Sequence, residues 1–249
     1  MAVQRNAALR TVPLKLPEGL GRQPAAKGPQ LTYRGGPLLA AVEVFAIFWG
    51  PPWKQTTGDL IIAIKQFFDF VIASELIDQL AEYSTQAYSI GHGTNRGSIV
   101  LEQPAPPASV SDAAIRTLLQ DQIKNAAVPQ PTPNTLYFVY LPPGVTVEQG
   151  GSKSCQDFCG YHDAIGNSIF YGVVPYPDCS GCSSNLSIND ALTVTTSHEL
   201  CEAITDPVPG QGWYDDANGE IGDICAWQTK QLGSYVVQLE WSNKANSCV

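Results

Sequence analysis

The residues His198-Glu199-Leu200-Cys201-Glu202 are the part of this chain best suited to chemistry. On a helix, side chains four apart share a face, so His198 and Glu202 converge on one point. Imidazole nitrogen and carboxylate oxygen are both zinc ligands. Glu199, one residue along, points beside that point and is placed to act as general base on a metal-activated water. The pattern is H-E-x-x-E, a variant of the H-E-x-x-H zinc helix with a carboxylate as second ligand. The competing reading is a polar face on an ordinary amphipathic helix.

A catalytic zinc takes three protein ligands and keeps one position open. The acidic segment after the helix supplies the third. Glu220 is the first candidate, with Asp223 accepting a hydrogen bond from His198; the exchanged roles, Asp223 as ligand and Glu220 as support, stay open. Asp206 lies two helical turns from His198, about 12 Å at 1.5 Å per residue, and is a poorer candidate. Asp215, Asp216 and Asn218 form an oxygen-rich stretch of a kind that suits calcium, without the full spacing of an EF-hand. His162, in Cys159-Gly-Tyr-His162, is a second catalytic candidate, as a ligand or as a donor on the oxyanion side; a structural histidine beside a disulfide is the competing reading. His92, between two glycines, reads as a loop residue. Asn185-Leu-Ser187 is an N-glycosylation sequon.

Those residues need a scaffold, and the chain alternates strand and helix patterns. Val42–Trp49 is a β-branched and aromatic run stopped by Gly50-Pro51-Pro52, so it predicts a buried strand. A helix is expected from Asp59 to Tyr83, with Ser74 marking a break and a new N-cap. A loop at Gly91-His-Gly leads to a strand ending at Leu101. Ser109-x-x-Asp112 has the form of a capping box opening a helix with Ile115, Leu118, Leu119 and Ile123 on one face. Strands follow at Leu136–Leu141 and Ser168–Val174, separated by a cysteine-bearing loop. Ser187-x-x-Asp190 opens the metal-binding helix, which runs to about Thr205. The loop-rich tail carries a strand at Tyr235–Trp241. The order predicts an α/β (α+β) fold with a mixed sheet and packed helices. Residues 1–36 read as an extended Pro/Gly-rich arm, and 37–249 as one zincin-like catalytic domain.

Composition sets the boundaries. The chain has 249 residues and a net charge of −9. That balance leaves no basic patch for phosphates and excludes a nucleic-acid partner. No apolar run is long enough to span a membrane. There are seven cysteines, none of them before Cys155. Disulfides are favoured over a zinc knot, with pairs inside the Cys155/Cys159 and Cys179/Cys182 clusters, a Cys225–Cys248 pair and Cys201 left as a buried thiol. Disulfides imply export, although no signal peptide is visible.

Several stretches together resemble the phosphate-induced protein, or EXORDIUM-like, family of plants and its microbial relatives. They are Ile47-Phe-Trp-Gly50, Gln79-Leu-Ala-Glu-Tyr83, Tyr137-Phe-Val-Tyr-Leu141, Phe158-Cys-Gly-Tyr-His162, Tyr171-Gly-Val-Val-Pro175, Ser197 to Pro207, Glu220 to Cys225 and Trp241-Ser-Asn. The chain looks like a microbial, zincin-like branch of that family. The resemblance implies an extracellular or cell-wall-associated protein and names no substrate. Two functions are therefore expected to compete. One is a zinc-dependent hydrolase, a peptidase acting on peptide or protein. The other is a non-catalytic extracellular or wall-associated binding protein that retains a structural metal.

Overall fold

Residues Ala41–Trp49 form a nine-residue strand, and all but Ala41 and Glu43 are buried. Such a continuous apolar run has to be covered on both faces, which places it inside a sheet flanked by helices. A computed structural model of the chain, describing residues 11–14, 28–183 and 185–249, shows that arrangement. The main sheet contains β1 (Thr11–Pro13), β2 (Ala41–Trp49), β3 (Gly91–Leu101), β4 (Thr135–Tyr140), β5 (Phe158–Ile165) and β6 (Ile169–Val174). Their order is β1-β5-β6-β4-β2-β3. The pairs β6/β4, β4/β2 and β2/β3 are parallel, whereas β5/β6 and β1/β5 are antiparallel. The fold is therefore α+β with a mixed sheet.

Helices cover both faces. On one side, α1 (Gly58–Val71), α2 (Glu75–Leu80) and α4 (Ile188–Thr205) pack on Val42, Val44, Ala46, Phe48, Leu136, Phe138 and Tyr140. On the other, α3 (Asp112–Lys124) lays Ile115, Leu118, Leu119 and Ile123 on the alternate residues Phe45, Ile47, Tyr137 and Val139. Period-two alternation thus splits the core into two layers. A C-terminal hairpin, β7 (Thr229–Leu232) with β8 (Tyr235–Gln238), packs beside α4.

Several expectations hold and several need correction. Ser74 caps α2, its Oγ accepting from Leu76 N, so the long expected helix breaks there. The cap of α3 is Ser111, not Ser109: Ser111 Oγ accepts from Ala114 N at 3.2 Å, while Ser109 lies in a short strand with Val110 and Ser111. His92 sits on β3, 2.8 Å from Asp78, not in a loop. The expected cysteine loop contains β5. Its Gly160, His162 and Asp163 break the apolar pattern that marks a strand. The disulfides join the two clusters, Cys155–Cys179 and Cys159–Cys182, instead of closing within each. A pair only a few residues apart would have to close within one turn, whereas β5 and the 179–182 turn face each other. Cys225–Cys248 forms, and Cys201 is free and buried, both as expected. Of the arm at 1–36, Thr11–Pro13 joins the main sheet and Thr32–Tyr33 pairs with Trp213–Tyr214. Among the described residues no helix is long and apolar enough to cross a membrane.

Candidate metal centre

Helix α4 starts at the expected cap, where Ser187 Oγ accepts from Asp190 N at 3.1 Å. Every residue from Ala191 to Thr205 is buried. A helix buried all round has to satisfy its polar side chains inside the protein. Most are satisfied. Ser197 and Thr205 donate to carbonyls of their own helix. Thr193 reaches Val236 O at 2.7 Å, and Thr196 meets the Tyr140 hydroxyl at 2.9 Å. Three side chains are left for other work: His198, Glu199 and Glu202.

They converge with His162 from β5 and with the 220–223 turn. His198 Nε2 lies 3.0 Å from Glu202 Oε1, as the four-residue spacing requires. His162 Nδ1 lies 3.2 Å from Glu199 Oε2 and 3.5 Å from Glu202 Oε2. Its Nε2 donates to the Asp206 carbonyl at 3.1 Å and stands 3.5 Å from Glu220 Oε1. His162, His198, Glu199, Glu202, Asp206 and Glu220 are all 0% exposed. Two glycines permit this closeness. A Cβ on Gly160 would stand 2.6 Å from Thr195 Cγ2 and 3.1 Å from Glu199 Oε1; one on Gly222 would stand 2.8 Å from His198 Nδ1.

Two ligand groups emerge, sharing Glu202: His162, Glu199 and Glu202, and His198, Glu202 and Asp223, with donor atoms in each within 4.8 Å of one another. Ligand atoms around a tetrahedral zinc lie about 3.3–3.6 Å apart when each bond is 2.0–2.2 Å, and the pairs His198 Nε2–Glu202 Oε1 at 3.0 Å, His162 Nδ1–Glu199 Oε2 at 3.2 Å and His162 Nδ1–Glu202 Oε2 at 3.5 Å stand near that spacing. The unpartnered atoms fit a cation too. Glu199 Oε1 and Glu220 Oε2 are buried with no hydrogen-bond partner, and His198 Nε2, Glu202 Oε2 and Glu220 Oε1 have only ion-pair contacts at 3.0, 3.5 and 3.5 Å. A buried carboxylate oxygen left unpaired is costly, and a cation removes that cost.

The electrostatics describe a site short of positive charge. Burial pushes the Glu220 carboxyl well above the usual range, and the neighbouring Glu202 charge pushes it further. Burial likewise raises Glu199, against the hydrogen bond from His162. Burial opposes the charge on Glu202 as well, but His198 and His162 overrule it and bring its pKa down to about 2. Burial alone would lower His162; the Glu220 charge and the bonds to Glu199 and Glu202 hold it well above its ordinary value. Both ring nitrogens of His162 face acceptors, Nδ1 toward Glu199 Oε2 and Nε2 toward the Asp206 carbonyl, so the ring suits an imidazolium.

The sequence-derived site residues separate cleanly. His198 and Glu202 meet, with Asp223 in their group, so the exchanged assignment is the one brought together. Glu220 stands instead at His162 Nε2, and His162 lies beside Glu199, which pairs the two catalytic candidates. The expected hydrogen bond from His198 to Asp223 is replaced: His198 Nδ1 faces Gln238 Nε2 at 2.8 Å, while Asp223 N donates to Glu202 Oε1 at 3.1 Å. Asp206 is no ligand. Its carboxylate takes the N–H groups of Gly210, Gln211 and Gly212 and so fixes the turn that follows the helix. The oxygens of the calcium reading serve a turn: Asp215 accepts from Gln30, Ala217 and Asn218, and Asp216 pairs with Arg34. Two residues were missed from sequence. Gln238 holds the His198 ring, and Glu240, 0% exposed, leaves both carboxylate oxygens unpartnered. Their only signal was two polar residues alternating with Val237 and Leu239 in a strand pattern, which normally marks a solvent-facing side. Compared with known proteins, the chain matches no family model and no curated protein.

Proposed function

We propose that this chain is an exported metal-dependent hydrolase acting on peptides. The observation that carries the reading is the pairing of a cation site with a prepared base. His198, Glu202 and Asp223 form a ligand group, and Glu199 lies beside it with Oε1 buried and unpartnered. The donors suit zinc, which would activate a water and polarise a carbonyl. Glu199 Oε1, buried beside the ligand group, would take the proton of that water. His162, 3.2 Å from Glu199 Oε2, orients the carboxylate and stabilises its charged form. Gln238 Nε2 stands 2.8 Å from His198 Nδ1 on the far side of the ring; a metal on His198 Nε2 would require Nδ1 to carry the ring proton and an acceptor to face it. The three disulfides support an oxidising, extracellular setting. The motifs quoted above support a microbial relative of the phosphate-induced protein family, with a wall-associated location.

The complete burial of the cluster favours a second reading, an extracellular or wall-associated binding protein with a structural metal. Metal analysis of purified protein, with wild type and Glu199→Gln assayed on casein, separates the two. The hydrolase reading expects about one metal per chain and a loss of at least about 100-fold in turnover for the variant, the scale of general-base catalysis. Metal content below about 0.2 per chain, or equal cleavage by the variant, overturns it. Bound metal without cleavage by wild type selects the structural reading.

A further inference from the structure

The sheet ends in a strand of only three residues. Thr11–Pro13 pairs antiparallel with β5 in the register Thr11 with Tyr161, Val12 with Gly160 and Pro13 with Phe158, slipping between Val12 and Pro13. Proline has no N–H to donate, so the ladder cannot continue through it. What holds the segment is side-chain packing. Val12 is 0% exposed among Cys159 and Cys182, with Leu14, Cys155, Cys179 and Trp227 around it. Trp227 Nε1 donates to Pro13 O at 2.7 Å, and Leu14 fills the space above Gly181. Trp227 does this from the left-handed region, at φ 65°, a conformation that costs a bulky residue energy and marks a held position.

The place where this segment sits matters. Val12 is opposite Gly160, the residue whose missing Cβ lets Glu199 Oε1 approach the strand. Two residues on, the same strand carries His162. The segment also packs against α4 and the Asp223–Cys225 turn, so it touches each wall of the cluster.

We propose that the edge of β5 is a docking groove for an extended peptide, and that Thr11–Pro13 fills it as an intramolecular plug. The groove takes a small β-branched residue in the pocket made by the Cys159–Cys182 disulfide and Trp227. It reads the next carbonyl with the Trp227 N–H. An added strand gains main-chain hydrogen bonds from the sheet edge whatever its sequence, and the pocket supplies selectivity. Displacing the plug bares the edge beside Glu199 and unseals the cluster. This inference does not depend on hydrolysis, because its readouts are binding and exchange.

The test compares the full chain with a variant lacking residues 1–27 and with full-length Val12→Asp. The probe is a fluorescently labelled peptide of residues 8–14, Ala-Leu-Arg-Thr-Val-Pro-Leu. The shortened chain should bind it saturably and at least about tenfold more tightly than the full chain does, since the plug no longer competes. A probe with aspartate in place of its valine should not bind. Hydrogen exchange over residues 158–162 should accelerate about tenfold in both variants, and the added peptide should restore protection in the shortened chain. Val12→Asp keeps every other residue, so its exchange result stands if the shortened chain folds poorly. Unchanged exchange over 158–162 in Val12→Asp, or absence of peptide binding to a folded shortened chain, overturns the proposal. Loss of all casein cleavage alongside intact peptide binding would overturn the hydrolase reading alone.

Discussion

Helices α3 and α4 cover opposite faces of one sheet and are built on different terms. In α3, Ile115, Leu118, Leu119 and Ile123 point inward, while Ala113, Thr117 and Gln120 are exposed. In α4, fifteen consecutive residues are buried, and they include a histidine, two glutamates, a serine and four threonines. A surface helix is fixed by its apolar stripe. A helix buried all round has no outward face for polar groups, so its position depends on what those groups meet. For α3 that question ends with packing. For α4 it ends at a cluster of buried acids and histidines in which several polar atoms have no hydrogen-bond partner.

The largest expected effect breaks this contrast most directly. Glu202 is the ligand common to both groups, and it accepts from Asp223 N and faces both histidines. Glu202→Ala should remove bound metal and destabilise the chain by about 3–5 kcal/mol, the cost of stripping one partner from a buried charged set. On α3, Gln120→Ala should change stability by no more than about 0.5 kcal/mol. Denaturant unfolding with metal analysis checks both. If the two substitutions cost the same, packing alone holds α4 and the contrast fails.

The same contrast explains what could be read from sequence. Helix α3 and the strands β2 and β4 were legible because burial writes a period into apolar residues. The boundaries of α4 were legible through Ser187 and the Asp206-Pro207 end. The convergence of His198 and Glu202 followed from helical spacing alone. Strand β5 was not legible, since Gly160 and His162 are there for the site and interrupt the period that announces a strand. The pairing of Glu199 with His162 was hidden with it, because it depends on how β5 lies under α4. Gln238 and Glu240 were hidden for a related reason: a polar residue facing a buried charge looks, in sequence, like one facing water. The cross-cluster disulfides needed the same tertiary information.

A smaller effect comes from the cation itself and from pH. At a free zinc concentration one hundred times its dissociation constant, binding stabilises by about 2.7 kcal/mol, which raises the melting temperature by about 5–10 °C. The metal-free chain should respond to pH in the opposite sense from the loaded one. Burial and the Glu202 charge raise Glu220, and burial raises Glu240, so both bind protons more tightly folded than unfolded. Their stabilisation is complete below about pH 4.5 and is lost as pH rises. His162, also raised, adds a contribution that is complete below about pH 6.5 and lost above it. Glu202, brought down to about 2, acts the other way, and its contribution is lost as pH falls from about 4.5 to 2. Metal-free protein should therefore be most stable near pH 4.5–6 and weaken toward pH 8. Zinc-loaded protein should gain stability over that same rise, because the cation replaces the protons. Thermal melts at pH 5, 6.5 and 8, with and without chelator, check this. Parallel curves would show that the buried acids do not face the cation.

The smallest effect sharpens the comparison by holding one thing constant. Both helices begin on a serine that accepts an N–H three residues on: Ser111 Oγ accepts from Ala114 N at 3.2 Å, and Ser187 Oγ from Asp190 N at 3.1 Å, while Ser187 Oγ also donates to Asp190 Oδ2 at 2.7 Å. Each cap satisfies one N–H that the helix leaves without an internal partner. Ser111→Ala and Ser187→Ala should each cost about 1 kcal/mol. Ser187 lies on the exposed side of its cap and well along the chain from His198, so its loss should leave metal content unchanged. Equal costs would place the whole difference between α3 and α4 in the faces they bury. A Ser187→Ala cost clearly above that of Ser111→Ala, with weaker metal binding, would mean that the first turn of α4 is coupled to the cluster. Fraying at the cap would then be felt where His198, Glu199 and Glu202 meet His162.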